Sequence, residues 1–271
     1  METELLHMIL ILAAAGVLAG FMAGLLGIGG GVVMVPVLYW VLLTIELPPD
    51  MVMHMAIGTS LAIIVPTGMA SARAHWKQGA VSLTLIWAWA PFIFAGALLG
   101  AAFASNMSGA ALTLFFASIV VILGLRLILS GDRAPVRDQP PTGFVGGSLA
   151  GLIGLLSSMM GIGGASFSVP LMTMTGYEMH RAIGTASLFG VIIAVPAALG
   201  FLISGHGLDG LPEWATGYIY LPAFLVMTPF AAIMAPVGAA SAHRLKRKPL
   251  AIIFGLFLIL AGLRMAWPFL A

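Results

Sequence analysis

The chain has 271 residues, of which 61% are hydrophobic and 7% charged. Apolar runs of about 20 residues recur along its whole length, so the solvent of this protein is lipid, and a soluble core is excluded. Closed barrels are excluded too, because the runs are long and continuous rather than short and alternating. A net formal charge of +2 is too small and too scattered to argue for nucleic acid, and zero cysteines remove disulfides, thiol redox chemistry and thiolate metal sites.

The amino terminus "METELLHM" carries two acids and no Lys or Arg before the first apolar run. That is opposite to the basic start of a secretory signal peptide, so residues 8 to 26 read as a retained span. At residue 27 the run is broken by "GIGGGVVMVP". Proline fixes its own φ and pushes the preceding residue out of helical geometry, so Pro36 suits the first turn of a new helix. Residues 27 to 35 are then expected to be unwound or extended: Val32, Val33 and Val35 favour that conformation, and Gly29, Gly30 and Gly31 permit tight turns and close approach of a ligand. The helix from Pro36 has about ten residues before Glu46, about 15 Å, which is half a bilayer core. Spans over 51 to 72, 81 to 104 and 108 to 129 follow, with Gly58, Thr59 and Ser60 in the first of them. The glycines of "GALLGAA" at 96 to 102 read as helix-packing positions.

Beyond the linker "SGDRAPVRDQPPTG" at 130 to 143 the pattern recurs. "GIGGASFSVP" from residue 161 matches the first break, with Pro170 in the place of Pro36. "HMAIGTSL" at 54 to 61 matches "HRAIGTASL" at 180 to 188; "PFIFAGALLGAA" at 91 to 102 aligns with "PFAAIMAPVGAA" at 229 to 240; "ILGLR" at 122 to 126 aligns with "LAGLR" at 260 to 264. The offset stays between 126 and 138, which indicates an internal duplication: a first membrane repeat at 1–129 and a second at 144–271, in one integrated domain. The fold class is therefore all-α and polytopic, with short or broken helices at the glycine breaks and about 8 to 10 hydrophobic spans.

An odd number of crossings per half inverts the second copy, and the charges agree. Placing the amino terminus outside puts Arg73, Lys77, Arg126, Arg133, Arg137, Arg181, Arg244, Lys246, Arg247 and Lys248 on the cytoplasmic side and leaves Arg264 alone outside. Glu2, Glu4, Glu46, Asp50, Asp209 and Glu213 then face outward, and both termini lie outside. Trp214, Tyr218 and Trp267 fall near the expected interfaces, where amphipathic rings are favoured.

Lipid cannot satisfy unwound backbone, so the breaks must lie inside protein or along a wet cavity. Two half-helix ends with neutral hydroxyl and amide donors suit an anion. The expected substrate set is Gly29, Gly30, Gly31, Gly58, Thr59 and Ser60 from the first half, with Gly163, Gly164, Ala165, Ser166, Gly184, Thr185 and Ser187 approaching from the second. None of the nine acids falls in the middle of a span, which argues against a carboxylate-based cation pump. His54 and His180 occupy equivalent positions where titration near neutral pH could couple protons to the anion; a plain polar role is the other reading. Arg126 and Arg264 also match by repeat, but each can snorkel to water.

Two other classes compete. An intramembrane serine hydrolase could use Ser166 or Ser168 with His180, although the first half has Val32 and Met34 at the matching serine positions. A metal carrier would have to rely on thioether or imidazole ligands among 17 methionines and six histidines. A repeated architecture does not call for hydrolysis, and most of the methionines read more simply as lipid-facing or core residues. No cofactor is expected; the partners are a small inorganic or organic anion and the bilayer, and a homodimer is compatible with the chain.

The paired "GLLGIGGGVVMVP" and "SSMMGIGGASFSVP", with "AIGTSLA" and "AIGTASL", resemble the TauE/SafE family of membrane proteins, named for sulfite export. The resemblance covers essentially the whole chain. It implies a transporter of the bacterial cytoplasmic membrane that moves a sulfur oxyanion or sulfonate outward. The second half has Ala165 where Gly31 stands and Ala186 where Ser60 stands, so a site made from both copies would not be exactly two-fold.

Overall fold

The computed structural model describes residues 2–26, 30–45, 47–129, 140–241 and 247–270. Gly29, Glu46, Arg133, Arg137, Arg244 and Lys246 lie outside the described residues. Among those described there are ten helices: α1 (Glu2–Leu26), α2 (Gly31–Leu42), α3 (Pro49–Lys77), α4 (Leu83–Ser105), α5 (Gly109–Leu129), α6 (Gly143–Met159), α7 (Ala165–Met174), α8 (Met179–Ser204), α9 (Leu221–Ser241) and α10 (Arg247–Leu270). Seven are long and apolar enough to cross a membrane, and α2, α6 and α7 are shorter apolar helices. The protein is an all-α polytopic membrane protein. A two-stranded hairpin, β1 (Ala215–Thr216) and β2 (Ile219–Tyr220), precedes α9, with Ala215 opposite Tyr220 and Gly217 at a φ of 55° in the turn.

The expected unwound stretch is shorter than the prolines suggest. α2 starts at Gly31 and α7 at Ala165, each capped by a glycine, Gly30 or Gly164, so that Pro36 and Pro170 each stand sixth in a helix. Residues 31 to 35 are helical, which corrects the reading that they are unwound or extended. The reason is a comparison of costs. A proline inside a helix removes one amide donor and crowds one carbonyl, whereas five unwound residues in an apolar interior strand several backbone groups. α2 and α7 remain half-length, 12 and 10 residues, or about 18 and 15 Å at the usual rise.

In lipid there is little hydrophobic drive to bring helices together, so close approach depends on small side chains. α1 packs on α9 through Gly16, Gly20 and Gly24, whose faces lie against the backbone of Met227, Ala231 and Ala235. α4 packs on α6 the same way, with Gly96 against Gly151 and Gly100 against Leu155, which bears out the packing role read for "GALLGAA". Gly124 and Gly255 meet where α5 crosses α10. The centre of the bundle is α3 against α8. Gly58 meets Phe201, Gly68 meets Val191 and His75 meets His180, so these two helices run antiparallel. The outward faces are apolar, with Trp87 and Phe144 78% and 89% exposed, as a lipid-facing surface requires.

Trp214 and Trp267 are exposed, as interfacial rings should be, but Tyr218 is buried. Its ring stacks on His54 at 5.1 Å and its amide donates to the carbonyl of Phe201, because the hairpin folds back between the start of α3 and the end of α8. It is a core residue rather than an interfacial anchor.

Candidate functional site

The two glycine breaks meet. The second runs from Gly161, at a φ of +66°, to the cap Gly164. A Cβ on Gly31 would collide with the carbonyl oxygen of Gly161 and lie 2.8 Å from the Cα of Ile162, so the first residue of α2 sits directly on the backbone of the other break. The Ser60 hydroxyl donates to the same Gly161 carbonyl at 2.7 Å. A Cβ on Gly161 itself would meet the Cα of Ile57 at 2.9 Å. Glycine is required there twice over, by backbone angle and by space.

A cavity of about 30 Å³ opens beside this contact, lined by Gly30 of the first break, by Gly163 and Ala165 of the second, and by Ala23 of α1. α3 contributes Ile64, Thr67, Gly68 and Ser71, and α8 contributes Ala186, Ser187 and Gly190. The ends of α2 and α7 that border it carry the positive ends of their helix dipoles, and their leading amides lack intrahelical acceptors. Thr67 donates to the Ile63 carbonyl at 2.8 Å and Ser187 to the Gly184 carbonyl at 2.7 Å. Ser71 is 3% exposed and its Oγ has no hydrogen-bond partner.

Of the residues expected at the site, Gly30, Gly163, Ala165 and Ser187 line this cavity. Gly31, Ser60 and Gly164 form the break-to-break contact and the cap behind it, and Ser166 is buried in the first turn of α7. Gly58, Thr59, Gly184 and Thr185 hold loops. Thr59 Oγ1 accepts the amide of Tyr220 at 2.9 Å, and a Cβ on Gly58 would collide with the Tyr218 carbonyl. Thr185 Oγ1 accepts the amide of Ser82 at 3.0 Å, and a Cβ on Gly184 would collide with the Ala80 carbonyl. Each AIGT motif thus clamps the loop that follows the central helix of the other half.

His54 and His180 are not brought together. His54 is buried near the start of α3, its Nδ1 2.8 Å from the Asp50 carbonyl and its Nε2 3.0 Å from that of Ala104. His180 is half-buried at the start of α8, edge-on to His75 near the other end of α3. Ser168, the other serine considered as a nucleophile, donates to the Gly164 carbonyl at 2.8 Å. Sequence reasoning missed Thr67, Gly68 and Ser71, which stand at helical spacing from Ile64 in "IIVPTGMASA" and so share one face of α3. That stripe of small and hydroxylated residues was the available signal. It has no counterpart in α8, where Ile193, Ala194 and Ala197 hold the matching places, so the repeat did not point to it.

A membrane bundle in which two half-length helices end inside the protein against a shared cavity has the build of a transporter. The comparisons with known proteins agree. A family model described as "Sulfite exporter TauE/SafE" matches residues 12–265, and the chain belongs to that family. It is similar to a "Probable membrane transporter protein" of Haemophilus influenzae, 36% identical over 259 residues that cover 95% of this chain and 97% of that one. It is also similar to "Probable membrane transporter protein YunE" of Bacillus subtilis, 27% identical over 280 residues and covering 95% and 97% of the two chains. A "Probable membrane transporter protein" of Xylella fastidiosa is 28% identical over 273 residues, 96% and 95% of the two chains. No solved structure matches. The protein is a membrane transporter, and neither its family nor these relatives are enzymes by description.

Proposed function

We propose that this protein is a secondary transporter that moves a small sulfur-containing anion, sulfite or an organosulfonate, out across the cytoplasmic membrane by alternating access. The observation that carries the reading is the meeting of the two breaks: Gly31 lies on Gly161, and one cavity is lined by both. In this reading the anion sits near the midplane between the ends of α2 and α7, with amide and hydroxyl donors around it. The two repeats are inverted copies, a view supported by the antiparallel run of α3 and α8 and by the exchanged loop clamps at Thr59 and Thr185. Both termini face outward, which keeps most of the basic residues inside. The sulfur-containing substrate is inferred from the family's description.

In proteoliposomes loaded with sulfite or a short sulfonate, the expected result is saturable anion movement that empty liposomes lack. Gly164→Val directs a new side chain at the flexible end of Ile193, and Gly30→Leu directs one at the Ala19 carbonyl. Both variants should lose transport, with Gly164→Val still reaching the membrane as folded protein. Normal flux in both would remove the breaks from the mechanism. Proton coupling through His54 or His180 reads out as flux that follows an imposed pH gradient in the parent protein and ceases to follow it in His54→Gln or His180→Gln.

A further inference from the structure

We propose that the cavity between the breaks selects singly charged oxyanions over doubly charged ones, and that the hydroxyl of Ser71 is the direct side-chain donor to the substrate. The inference rests on the proposed anion transport and deepens it.

The donors there are neutral. No charged side chain is among the described residues lining the cavity; its polar side chains are Thr67, Ser71 and Ser187. Two helix ends border it, and each contributes about half an elementary charge of positive potential, so together they offset about one negative charge. A second negative charge on the guest has no such counterpart. The cost of taking an ion out of water rises as the square of its charge, while its attraction to a fixed dipole rises only in proportion. Doubling the charge therefore raises the penalty faster than the reward, and a site of this composition discriminates by charge before it discriminates by shape.

Ser71 stands apart from the other two hydroxyls. Thr67 and Ser187 each give their one proton to a carbonyl of their own helix, whereas the Ser71 hydroxyl is buried with no partner. A buried hydroxyl left without a partner costs stability, and an oxyanion beside it removes that cost. At about 30 Å³ the cavity has room for about one water molecule, so the oxyanion enters by widening it. Four of its lining residues, Gly30, Gly68, Gly163 and Gly190, bring no side chain into that space.

The experiment uses the purified full chain in liposomes and compares methanesulfonate and methyl sulfate, each with one charge, with sulfate, which carries two. Initial rates at equal concentration should be at least about tenfold higher for the two monoanions, and methyl sulfate should inhibit methanesulfonate movement where sulfate does not. Ser71→Ala should slow both monoanions by about tenfold while the protein keeps its elution profile and its thermal midpoint does not fall, and Ser71→Thr should restore most of the rate. Sulfate moving as fast as methyl sulfate would overturn the charge selection and leave the proposed anion transport standing. Parent rates in Ser71→Ala would overturn the donor role. No anion moving in the parent protein would overturn both this inference and the transport reading beneath it.

Discussion

Thr59 and Thr185 stand 126 positions apart, and each accepts a backbone amide from the half of the chain to which it does not belong. Replacing either by valine keeps the shape and leaves a buried amide without an acceptor, which costs about 1–3 kcal/mol. Thr59→Val and Thr185→Val should therefore lower the thermal midpoint of the detergent-solubilised protein by similar amounts, and serine at either position should recover most of it. An unchanged midpoint in both would show that the clamps carry no stability. The repeated AIGT stretches were legible in the sequence as a pair, but their roles were not. Their partners lie 161 and 103 residues away, and a threonine reads the same whether its hydroxyl faces a ligand or a loop.

Among the elements, glycine spacing decides which helices touch. Gly20 faces the Ala231 backbone so closely that any Cβ collides with it, whereas Gly79 has open space around it and only a φ of +68° to restrict substitution. Gly20→Leu should prevent α1 from seating on α9, giving protein that aggregates on extraction. Gly79→Ala should yield monodisperse protein destabilised by about 1 kcal/mol. The bounds of α4 and α5 were legible to within two residues, because apolar runs of bilayer length leave little choice in lipid, whereas α1 starts six residues before and α3 ends five residues beyond the expected limits. The start of α2 was not. Proline at a helix start is a sound local expectation, yet an apolar interior penalises unwound backbone heavily enough to carry the helix five residues further, from Pro36 back to Gly31. The hairpin before α9 was missed as well; its strands are only two residues long, too short for any alternation to show.

For the whole molecule, α3 and α8 cross the centre in opposite directions, so the loops that follow them emerge at opposite ends of the bundle. The chain has no native cysteine, so single cysteines report side directly. Gln78→Cys and Asp209→Cys, both at exposed positions, should react with a membrane-impermeant thiol reagent from opposite faces of the membrane: Asp209→Cys in intact cells, Gln78→Cys only in everted vesicles. Labelling of both from one face would dismiss the inverted arrangement. The halves also interleave. α1 seats on α9 and α6 on α4, so neither half buries its own glycine stripe without the other.

The sequence by itself determined that this chain lives in lipid, that it is helical throughout its spans, and that its motifs come in two copies. Each of these follows from composition and period, which act locally and survive without knowledge of contacts. Only the tertiary structure decided which residues of the motifs face a common cavity. Gly30, Gly163, Ala165 and Ser187 reach it together with Thr67 and Ser71, while Ser60 braces the second break and Thr59 and Thr185 hold loops at opposite ends of the bundle. A hydroxyl's chemistry is fixed by its residue type, but whether it meets a carbonyl or an open space depends on which distant segment packs beside it. In this bundle the antiparallel crossing of α3 and α8 sets that packing.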